Sequence, residues 1–393
     1  MNYDTDLMHF AEDPAGQKGA VVPPISQNSL FTFESWDAID EAFQKPADSY
    51  IYSRGINPTV EIAERKIAQL AGGERARLFA SGMGAISSAI LHYVKQGDHI
   101  VTVKNVYGPT SNFLGKYLPE KCGITTTFVE GNSIEDFEQA ITEKTKLIYL
   151  ESPSSVVFSL QDIQAVTSLA KSKGIHTVID NTWATPIFQR PLELGIDLEV
   201  HSVSKYLGGH SDIVSGVIIG KAEDIRSIIL TEHALLGAKM APYEAWLLIR
   251  SLRTLTLRME KHQSNAMAVA EWLEAHPQVG LVMHPALPSS SQHELYKKQM
   301  TGGSGLFAFN LKETELPKIK AFVNACSLFQ IGVSWGGHES LIYAPAISLA
   351  KEIPPERFCD LGIELGTIRL SVGLENPQDL IADLSQAFAA MNS

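Results

Sequence analysis

Short apolar runs rich in β-forming residues alternate with longer helical patterns between about residue 75 and residue 220. The runs are HIVTV, TTTFV, KLIYLE, HTVID, LEVHSVS and IVSGVIIG. Strands that are apolar on both faces and separated by helices form a mostly parallel sheet that is covered on both sides. The sequence therefore predicts a doubly wound α/β domain, whose ligands bind at the carboxyl ends of the strands.

The length of the chain predicts more than one domain. Its 393 residues exceed the size at which single cores stop growing, about 250–300 residues. The segment 1–58 is punctuated by proline and glycine, which is typical of an arm. Leu, Ala, Met, Arg and Glu dominate 241–274 and predict one or two long connecting helices. We expect an arm contacting a neighbouring subunit at 1–58, an α/β domain at 59–250 and a smaller C-terminal α+β domain at 251–393.

Charge and cysteine content argue against several classes of function. The formal net charge is -12 and no cluster of Lys and Arg stands out, so nucleic-acid binding has little support. No apolar run approaches a membrane span of about 18 residues, and the acidic start MNYDTDLMHFAEDP is unlike a signal peptide. The cysteines Cys122, Cys326 and Cys359 are far apart, which fits neither a disulfide framework nor a metal site. We therefore expect a cytoplasmic protein without a metal or a membrane span, whose partners are small molecules or proteins.

Lys205 stands in the segment HSVSKYLGGHSD, directly after a predicted strand. Ser202 and Ser204 precede it, and two glycines follow. A lysine at a strand end can hold an aldehyde cofactor as an imine while the neighbouring hydroxyls bind its phosphate. Taken alone, the spacing favours an exposed loop lysine.

Asp180 ends the predicted strand in VIDNTWATP, 25 residues before Lys205. Enzymes that use pyridoxal 5'-phosphate (PLP) need a carboxylate against the pyridine nitrogen, because the protonated ring acts as an electron sink. A turn or helix-capping aspartate is the alternative interpretation. Thr182, two residues further on, is assigned to the same cofactor site.

Two further segments complete the candidate cofactor site. In FASGMGA, Gly82 and Met83 would present free backbone N–H groups to a phosphate at a helix N-terminus, although many strand-to-helix turns contain such glycines for conformational reasons. Tyr107 in NVYGPT follows a predicted strand and could stack on a cofactor ring. A half-buried tyrosine that anchors a loop is the alternative.

Taken together, these segments resemble the Cys/Met-metabolism PLP enzymes of fold type I, and the resemblance covers nearly the whole chain. The matching segments, in order, are GAVVPPI, YSRGINPT, SGMGA, VYGPT, ESPSS, DNTWATP, HSVSKYLGGHSD, GGSGLFAF, SWGGHESL and IRLSVGLEN. The resemblance implies PLP as cofactor and an aspartate-aminotransferase-like fold with a smaller C-terminal domain and an N-terminal arm. It also implies a homo-oligomer with shared active sites, usually a tetramer built from dimers.

The resemblance assigns a role to each motif residue. It implies that Lys205 forms the Schiff base, Asp180 faces the pyridine nitrogen and Tyr107 stacks on the ring. It also implies that the phosphate is bound by Gly82, Met83, Ser202 and Ser204 of the same chain. Tyr52 and Arg54 are expected to reach the phosphate site of the neighbouring subunit. Arg369 in IRLSVG corresponds to the arginine that grips the substrate α-carboxylate, with Ser334 nearby.

Three features favour the branch that contains bacterial cystathionine β-lyases. They are Ser155 in ESPSS, Trp335 beside Ser334, and the stretch of about sixty residues that runs from SLRTL through VAEWL, HPQV and HPALP to SGLF. They predict β-elimination of L-cystathionine, and of cystine or other cysteine S-conjugates, to a thiol, pyruvate and ammonia.

The motif YSRGINPT is instead closer to cystathionine γ-lyases and methionine γ-lyases, although Pro109 stands where methionine γ-lyases usually have cysteine. These γ-lyases are the first alternative. Cystathionine γ-synthase and O-acetylhomoserine sulfhydrylase, which add a thiol to an activated homoserine, are the second.

Overall fold

The structure, a computed structural model, describes residues 3–345 and 358–391, and a seven-stranded sheet forms its larger part. The strands are β1 Arg75–Phe79, β2 His99–Val103, β3 Thr125–Val129, β4 Thr145–Glu151, β5 His176–Asp180, β6 Leu198–Ser202 and β7 Gly216–Gly220. Their order is β1-β7-β6-β5-β4-β2-β3. The strands from β6 to β3 are parallel, whereas β7 runs antiparallel to both neighbours. This is the mostly parallel sheet that the alternating pattern predicts.

Helices cover this sheet on both faces, and residues of its strands are mostly buried except in the edge strand β3. The helices up to the end of β7 are α1 Tyr3–His9, α2 Trp36–Gln44, α3 Pro58–Ala71, α4 Gly82–Tyr93, α5 Gly108–Asn112, α6 Leu118–Cys122, α7 Ile134–Ala140, α8 Ile163–Lys173 and α9 Thr185–Phe188. A π-helical stretch, Phe113–Tyr117, joins α5 to α6. The helix expected before Gly72 is α3, which ends because Gly72 adopts a left-handed conformation with φ 74°.

The strands predicted from the sequence differ from those of the structure in three places. β1 is not among the predicted strands because its alternating arginines, Arg75 and Arg77, resemble a surface segment. The structure buries Arg77, which forms an ion pair with Glu64 at 3.3 Å. β6 ends at Ser202 and β7 begins at Gly216, so the polar ends of two predicted runs form turns.

A second sheet of five strands forms the C-terminal part. Its strands are β8 Val279–Met283, β9 Leu306–Leu311, β10 Gln330–Ile331, β11 Leu341–Tyr343 and β12 Thr367–Ser371, in the order β10-β11-β12-β9-β8. Among the described residues, the further α-helices are α10 Ala222–Ile228, α11 Ala234–Leu236, α12 Pro242–Leu252, α13 Leu255–Glu274, α14 His293–Gln299, α15 Leu316–Ala325 and α16 Pro377–Met391. The long connection expected at 241–274 is the pair α12 and α13.

The N-terminal segment begins with α1, which packs on its own chain. The buried ammonium of Lys66, in α3, pairs with Glu12 at 2.9 Å and donates to the carbonyl of Leu7 at 2.9 Å. Contact of the arm with a neighbouring subunit and the two boundaries between the three segments stay predictions. In the described part of the chain, no helix is long and apolar enough to cross a membrane.

Candidate active site

A cavity of about 510 Å³ lies where the carboxyl ends of β4, β5 and β6 meet the second sheet. Its position follows the rule for open parallel sheets, in which polar residues just after the strands converge on one edge. Most of the residues proposed from the sequence line it: Gly82, Met83, Tyr107, Ser155, Asp180, Thr182, Ser202, Ser204, Lys205, Ser334, Trp335 and Arg369. The exceptions are Tyr52 and Arg54, which are outside the cavity lining.

Lys205 lies in the turn that follows β6 and points its amine into the cavity. Its Nζ atom donates a hydrogen bond to the Oγ atom of Ser334 at 3.0 Å. Burial, followed by the positive charge of Arg369, lowers the pKa of Lys205, while the charge of Asp180 acts in the opposite direction. This shift increases the share of the neutral amine, which is the form that acts as nucleophile or base.

The turn carrying Ser334 and Trp335 packs directly on the backbone of Lys205. Gly336, with φ 81°, has its Cα so close that an added Cβ would lie 3.0 Å from the Tyr206 nitrogen. Glycine suits this position because it tolerates a positive φ without a side chain. The close packing brings the second sheet's loop into contact with the lysine turn.

Asp180 forms the floor of the cavity at the end of β5. Its Oδ1 atom accepts hydrogen bonds from both the backbone N–H and the hydroxyl of Thr182. The Thr182 hydroxyl in turn accepts from the Ser202 backbone N–H at 2.8 Å. Burial raises the pKa of Asp180, and the hydrogen bonds from Thr182 oppose that rise. Thr182 therefore orients the carboxyl group.

Glu151, at the end of β4, stands beside Asp180 and is absent from the residues proposed from the sequence. The two residues are register partners on adjacent parallel strands. Burial, together with the nearby charge of Asp180, raises the pKa of Glu151 to about 8. The strand-end rule that identified Asp180 could have identified Glu151, because it directly follows the run KLIYL.

Glu151 also ties Tyr107 and Ser155 to the sheet. Its Oε2 atom accepts from the Tyr107 backbone N–H at 2.6 Å, and its Oε1 atom accepts from the Ser155 hydroxyl at 2.5 Å. The Ser155 backbone N–H donates to the Asn105 carbonyl at 2.8 Å. These two hydrogen bonds hold Ser155 at the cavity.

Gly82 and Met83 begin the twelve-residue helix α4 at the edge of the cavity. Ser81 caps the helix by accepting a hydrogen bond from the Gly84 N–H at 3.0 Å. A Cβ atom on Gly82 would lie 3.1 Å from the Ser202 side chain, so only glycine keeps this space open. Ser204 also lines the cavity, but its hydroxyl is bonded to the backbone of Ser215.

Arg369, in β12, lines the wall of the cavity. Its Nη2 atom donates to the Val333 carbonyl at 2.8 Å, and its guanidinium lies 4.7 Å from the centroid of the Tyr343 ring. Burial lowers the pKa of Arg369 to about 10, which leaves the group cationic at neutral pH. A buried cation at the cavity wall can bind a carboxylate.

Tyr52 and Arg54 lie in the segment before α3. The Tyr52 side chain is half exposed, and the Nη1 atom of Arg54 donates to the carbonyl of Ala234 at 2.5 Å. Neither residue lines the cavity of its own chain. Their proposed contact with a neighbouring subunit's site stays a prediction.

The sequence also missed two polar residues at the cavity wall. The Ser211 hydroxyl donates to the Oε1 atom of Glu339 at 2.6 Å, and both residues line the cavity. Ser211 has a φ of 57°, which is uncommon for a residue with a side chain. Sequence spacing offers no signal for this pair because 128 positions separate them.

The residues of the cavity fit PLP. The glycine-lined start of α4 leaves space for an anion beside Ser202. On the floor, the buried carboxyl groups of Asp180 and Glu151 favour a cationic group such as a protonated ring nitrogen. The amine of Lys205 has a lowered pKa, as imine formation requires. Among the described residues, no group of three or more His, Cys, Asp or Glu side chains could hold a metal ion.

Comparison with known proteins agrees with this arrangement. The family model described as Cys/Met metabolism PLP-dependent enzyme matches residues 4–389. An L-methionine gamma-lyase from Porphyromonas gingivalis is 43% identical over 95% of this chain and 94% of its own length. A cystathionine beta-lyase from Coxiella burnetii is 40% identical over 98% of this chain and 97% of its own.

A solved structure from Campylobacter jejuni, which contains N'-pyridoxyl-lysine-5'-monophosphate, superposes with a TM-score of 0.94 at 32% identity. The match covers 99% of this chain and 100% of that one. The expected fold type I is therefore confirmed, and PLP is the cofactor of the family.

Proposed function

The chain belongs to the Cys/Met metabolism PLP-dependent enzymes, and from this membership we propose that it is a carbon–sulfur lyase acting on L-cystathionine. The proposed reaction is β-elimination, which releases homocysteine, pyruvate and ammonia. Cystine and other cysteine S-conjugates would lose their thiols in the same way. The observation that carries the proposal is the position of Trp335, whose ring centroid lies 5.6 Å from the Lys205 Nζ atom.

The geometry of the cavity supports the residues that we propose to bind the cofactor. PLP, when bound, withdraws electrons from the Cα atom of the substrate and makes its proton acidic. Asp180, oriented by Thr182, would hold the ring nitrogen protonated, and Tyr107 would lie against the ring. The free N–H groups at the start of α4 and the Ser202 hydroxyl would hold the phosphate.

Lys205 is the proposed general base. Its lowered pKa favours the neutral amine, which can take the Cα proton of the substrate. The hydrogen bond to Ser334 fixes the direction of the Nζ atom. Removal of that proton, followed by departure of the thiolate from Cβ, completes the elimination.

Arg369 is the proposed binding residue for the substrate α-carboxylate. A guanidinium holds a carboxylate through two parallel hydrogen bonds, so it fixes direction as well as position. Holding the carboxylate aligns the Cα–H bond with the Lys205 amine, which is an orientation effect. The substrate side chain must then extend toward Trp335.

Trp335 would restrict the space around the substrate side chain. Its ring lies against Tyr206, with centroids 5.5 Å apart. A γ-elimination must carry the carbanion one carbon further and move a second proton at Cβ, whereas β-elimination needs only the Cα proton removed and an aligned Cβ–S bond. The ring therefore favours the shorter reaction.

A γ-lyase is the second candidate function. The P. gingivalis relative, at 43% identity, is named an L-methionine gamma-lyase. The motif YSRGINPT points in the same direction. Under this alternative, the site would carry out γ-elimination despite the position of Trp335. Cystathionine γ-synthase or O-acetylhomoserine sulfhydrylase activity, in contrast, would require an added thiol.

The products formed from L-cystathionine test the proposal. We expect pyruvate with homocysteine as the main products, measured by coupled dehydrogenase assay and thiol chromatography. Predominant 2-oxobutyrate with cysteine, or efficient methanethiol release from L-methionine, would contradict β-elimination. Replacement of Trp335 with leucine should increase the 2-oxobutyrate share, whereas Tyr243→Leu, which removes an aromatic ring outside the cavity lining, should not.

The proposed assembly is a homotetramer built from dimers in which Tyr52 and Arg54 reach the partner's phosphate site. Arg54→Ala should then weaken PLP binding about 10- to 150-fold, because a charge-assisted hydrogen bond contributes about 1.5–3 kcal/mol. Equilibrium dialysis of PLP measures the change. The exposed Arg226, substituted in the same way, is the control.

Mixed oligomers distinguish the two possible locations of Arg54. In a dimer of one Arg54→Ala subunit and one Lys205→Ala subunit, a shared site contains both intact residues. Part of the activity should therefore return on mixing. No recovery in oligomers shown by mass spectrometry to be mixed would place Arg54 in the site of its own chain.

A further inference from the structure

The segment 251–262, SLRTLTLRMEKH, connects α12 to α13 and has no part in the reaction proposed above. Arg258 in this segment is 5% exposed. Its Nη1 atom donates to the Tyr206 carbonyl at 2.6 Å, and its Nη2 atom donates to the Ser251 carbonyl at 3.0 Å. Tyr206 directly follows Lys205, so the guanidinium holds the peptide unit next to the reactive lysine.

The partners of Arg258 are uncommon for a buried cation. Within the described residues, no carboxylate forms an ion pair with it, and its hydrogen bonds go to carbonyl and hydroxyl oxygens. Burial lowers the pKa of Arg258 to about 10, so the group still carries its charge at neutral pH. A buried charge without a carboxylate partner does not by itself stabilise a fold, so the contacts of Arg258 point to a role in positioning the turn.

The contacts of Arg258 extend along the whole turn after Lys205. Gly209, with φ 67°, approaches so closely that an added Cβ would lie 1.9 Å from the guanidinium. Ser251, which is bonded to Arg258, donates its hydroxyl hydrogen bond to the Gly208 carbonyl and lies 3.0 Å from the His210 ring. The segment 251–262 therefore holds the turn after Lys205 at the Tyr206 carbonyl and at the Gly208 carbonyl.

The same segment reaches the strand that carries Arg369. The Nδ1 atom of His262 lies 2.8 Å from the Val372 carbonyl, directly after β12. Burial lowers the pKa of His262 to about 4, so the ring is neutral and its N–H must point to that carbonyl. The His262 ring also packs edge-on against Tyr206, with centroids 5.0 Å apart.

We propose that Arg258 is a positioning residue for Lys205: its guanidinium fixes the turn that directs the lysine amine, while His262 ties that turn to the strand of Arg369. This inference rests on the proposed role of Lys205. A displacement of about 1 Å in a reacting group can cost about 100-fold in rate. Loss of the two-armed Arg258 guanidinium should therefore lower kcat more than it lowers substrate affinity.

The test compares Arg258→Lys with Arg253→Lys in the PLP-loaded enzyme. Lysine keeps the charge at both positions but removes the two-armed guanidinium. Arg253 belongs to the same segment and pairs instead with Glu12 at 2.9 Å. We expect Arg258→Lys to lower kcat about 10- to 100-fold with less than about threefold change in KM. It should also shift the pH midpoint of the bound cofactor's absorbance, and Arg253→Lys should change neither.

Two results would overturn the inference. If Arg258→Lys matches Arg253→Lys in kcat and in the pH midpoint while losing thermal stability, Arg258 serves packing alone. If Arg258→Lys does not fold, Ser251→Ala decides: a kcat lowered by about threefold or more with a shifted midpoint supports the positioning role of Arg258, and wild-type values contradict it. A wild-type protein that holds no cofactor on Lys205 would instead overturn the proposed function on which this inference rests.

Discussion

Replacing Lys205 with alanine is expected to lower kcat for elimination about 100- to 10,000-fold, the range for removing a general acid–base group. The loss should exceed that from any other single substitution in the cavity, because Lys205 both anchors the cofactor and takes the Cα proton. Steady-state pyruvate formation from L-cystathionine at saturating PLP measures it. Thermal unfolding of both proteins checks that the fold is unchanged.

Lys221 supplies the matched control for this substitution. It is an exposed lysine at the start of α10, outside the cavity lining, so Lys221→Ala should leave kcat at the wild-type value. Turnover retained by Lys205→Ala within tenfold of wild type would mean that another group removes the proton. The account of the cavity given above would then be wrong.

Asp180→Asn is expected to lower kcat about 100- to 1000-fold, the range for removing one preorganised electrostatic partner of a reacting system. Asparagine keeps the shape of the side chain and can still accept from Thr182, but it cannot hold a ring nitrogen in its protonated form. Single-turnover measurements of Cα proton exchange in deuterated water isolate this effect from product release.

Glu151→Gln provides the comparison for Asp180→Asn. The pKa of Glu151, raised to about 8, keeps that carboxyl group largely protonated at neutral pH, so glutamine removes little charge beside Asp180. Asp180 keeps its own carboxyl group, so Glu151→Gln should lose less than about tenfold in kcat. Equal losses from the two substitutions would show that the pair acts as one acidic unit and that Asp180 has no special role toward the ring nitrogen.

Sequence reasoning found the residues that directly follow a strand. Asp180 and Lys205 were identified because strand ends converge in a parallel sheet, and the structure places both at one cavity. Glu151 was missed although it obeys the same rule. Its importance depends on its register opposite Asp180, and register is set by strand pairing rather than by the local pattern.

Other parts of the arrangement could not be predicted from spacing. β1 was missed because its arginines have the pattern of a surface segment, whereas Arg77 is buried against Glu64. The contact of Arg258 with the turn after Lys205 joins residues 52 positions apart, and local periodicity in the sequence cannot indicate such a contact. Tyr52 and Arg54 concern a second subunit, which a single chain does not contain.

Borohydride reduction of the purified, PLP-loaded protein, followed by peptide mass spectrometry, tests whether this cavity carries the cofactor on Lys205. We expect a yellow protein whose absorbance changes on reduction, with the added pyridoxyl phosphate mass on the peptide that contains Lys205. A modification on a different lysine, or an unmodified Lys205 peptide after complete reduction, would contradict it.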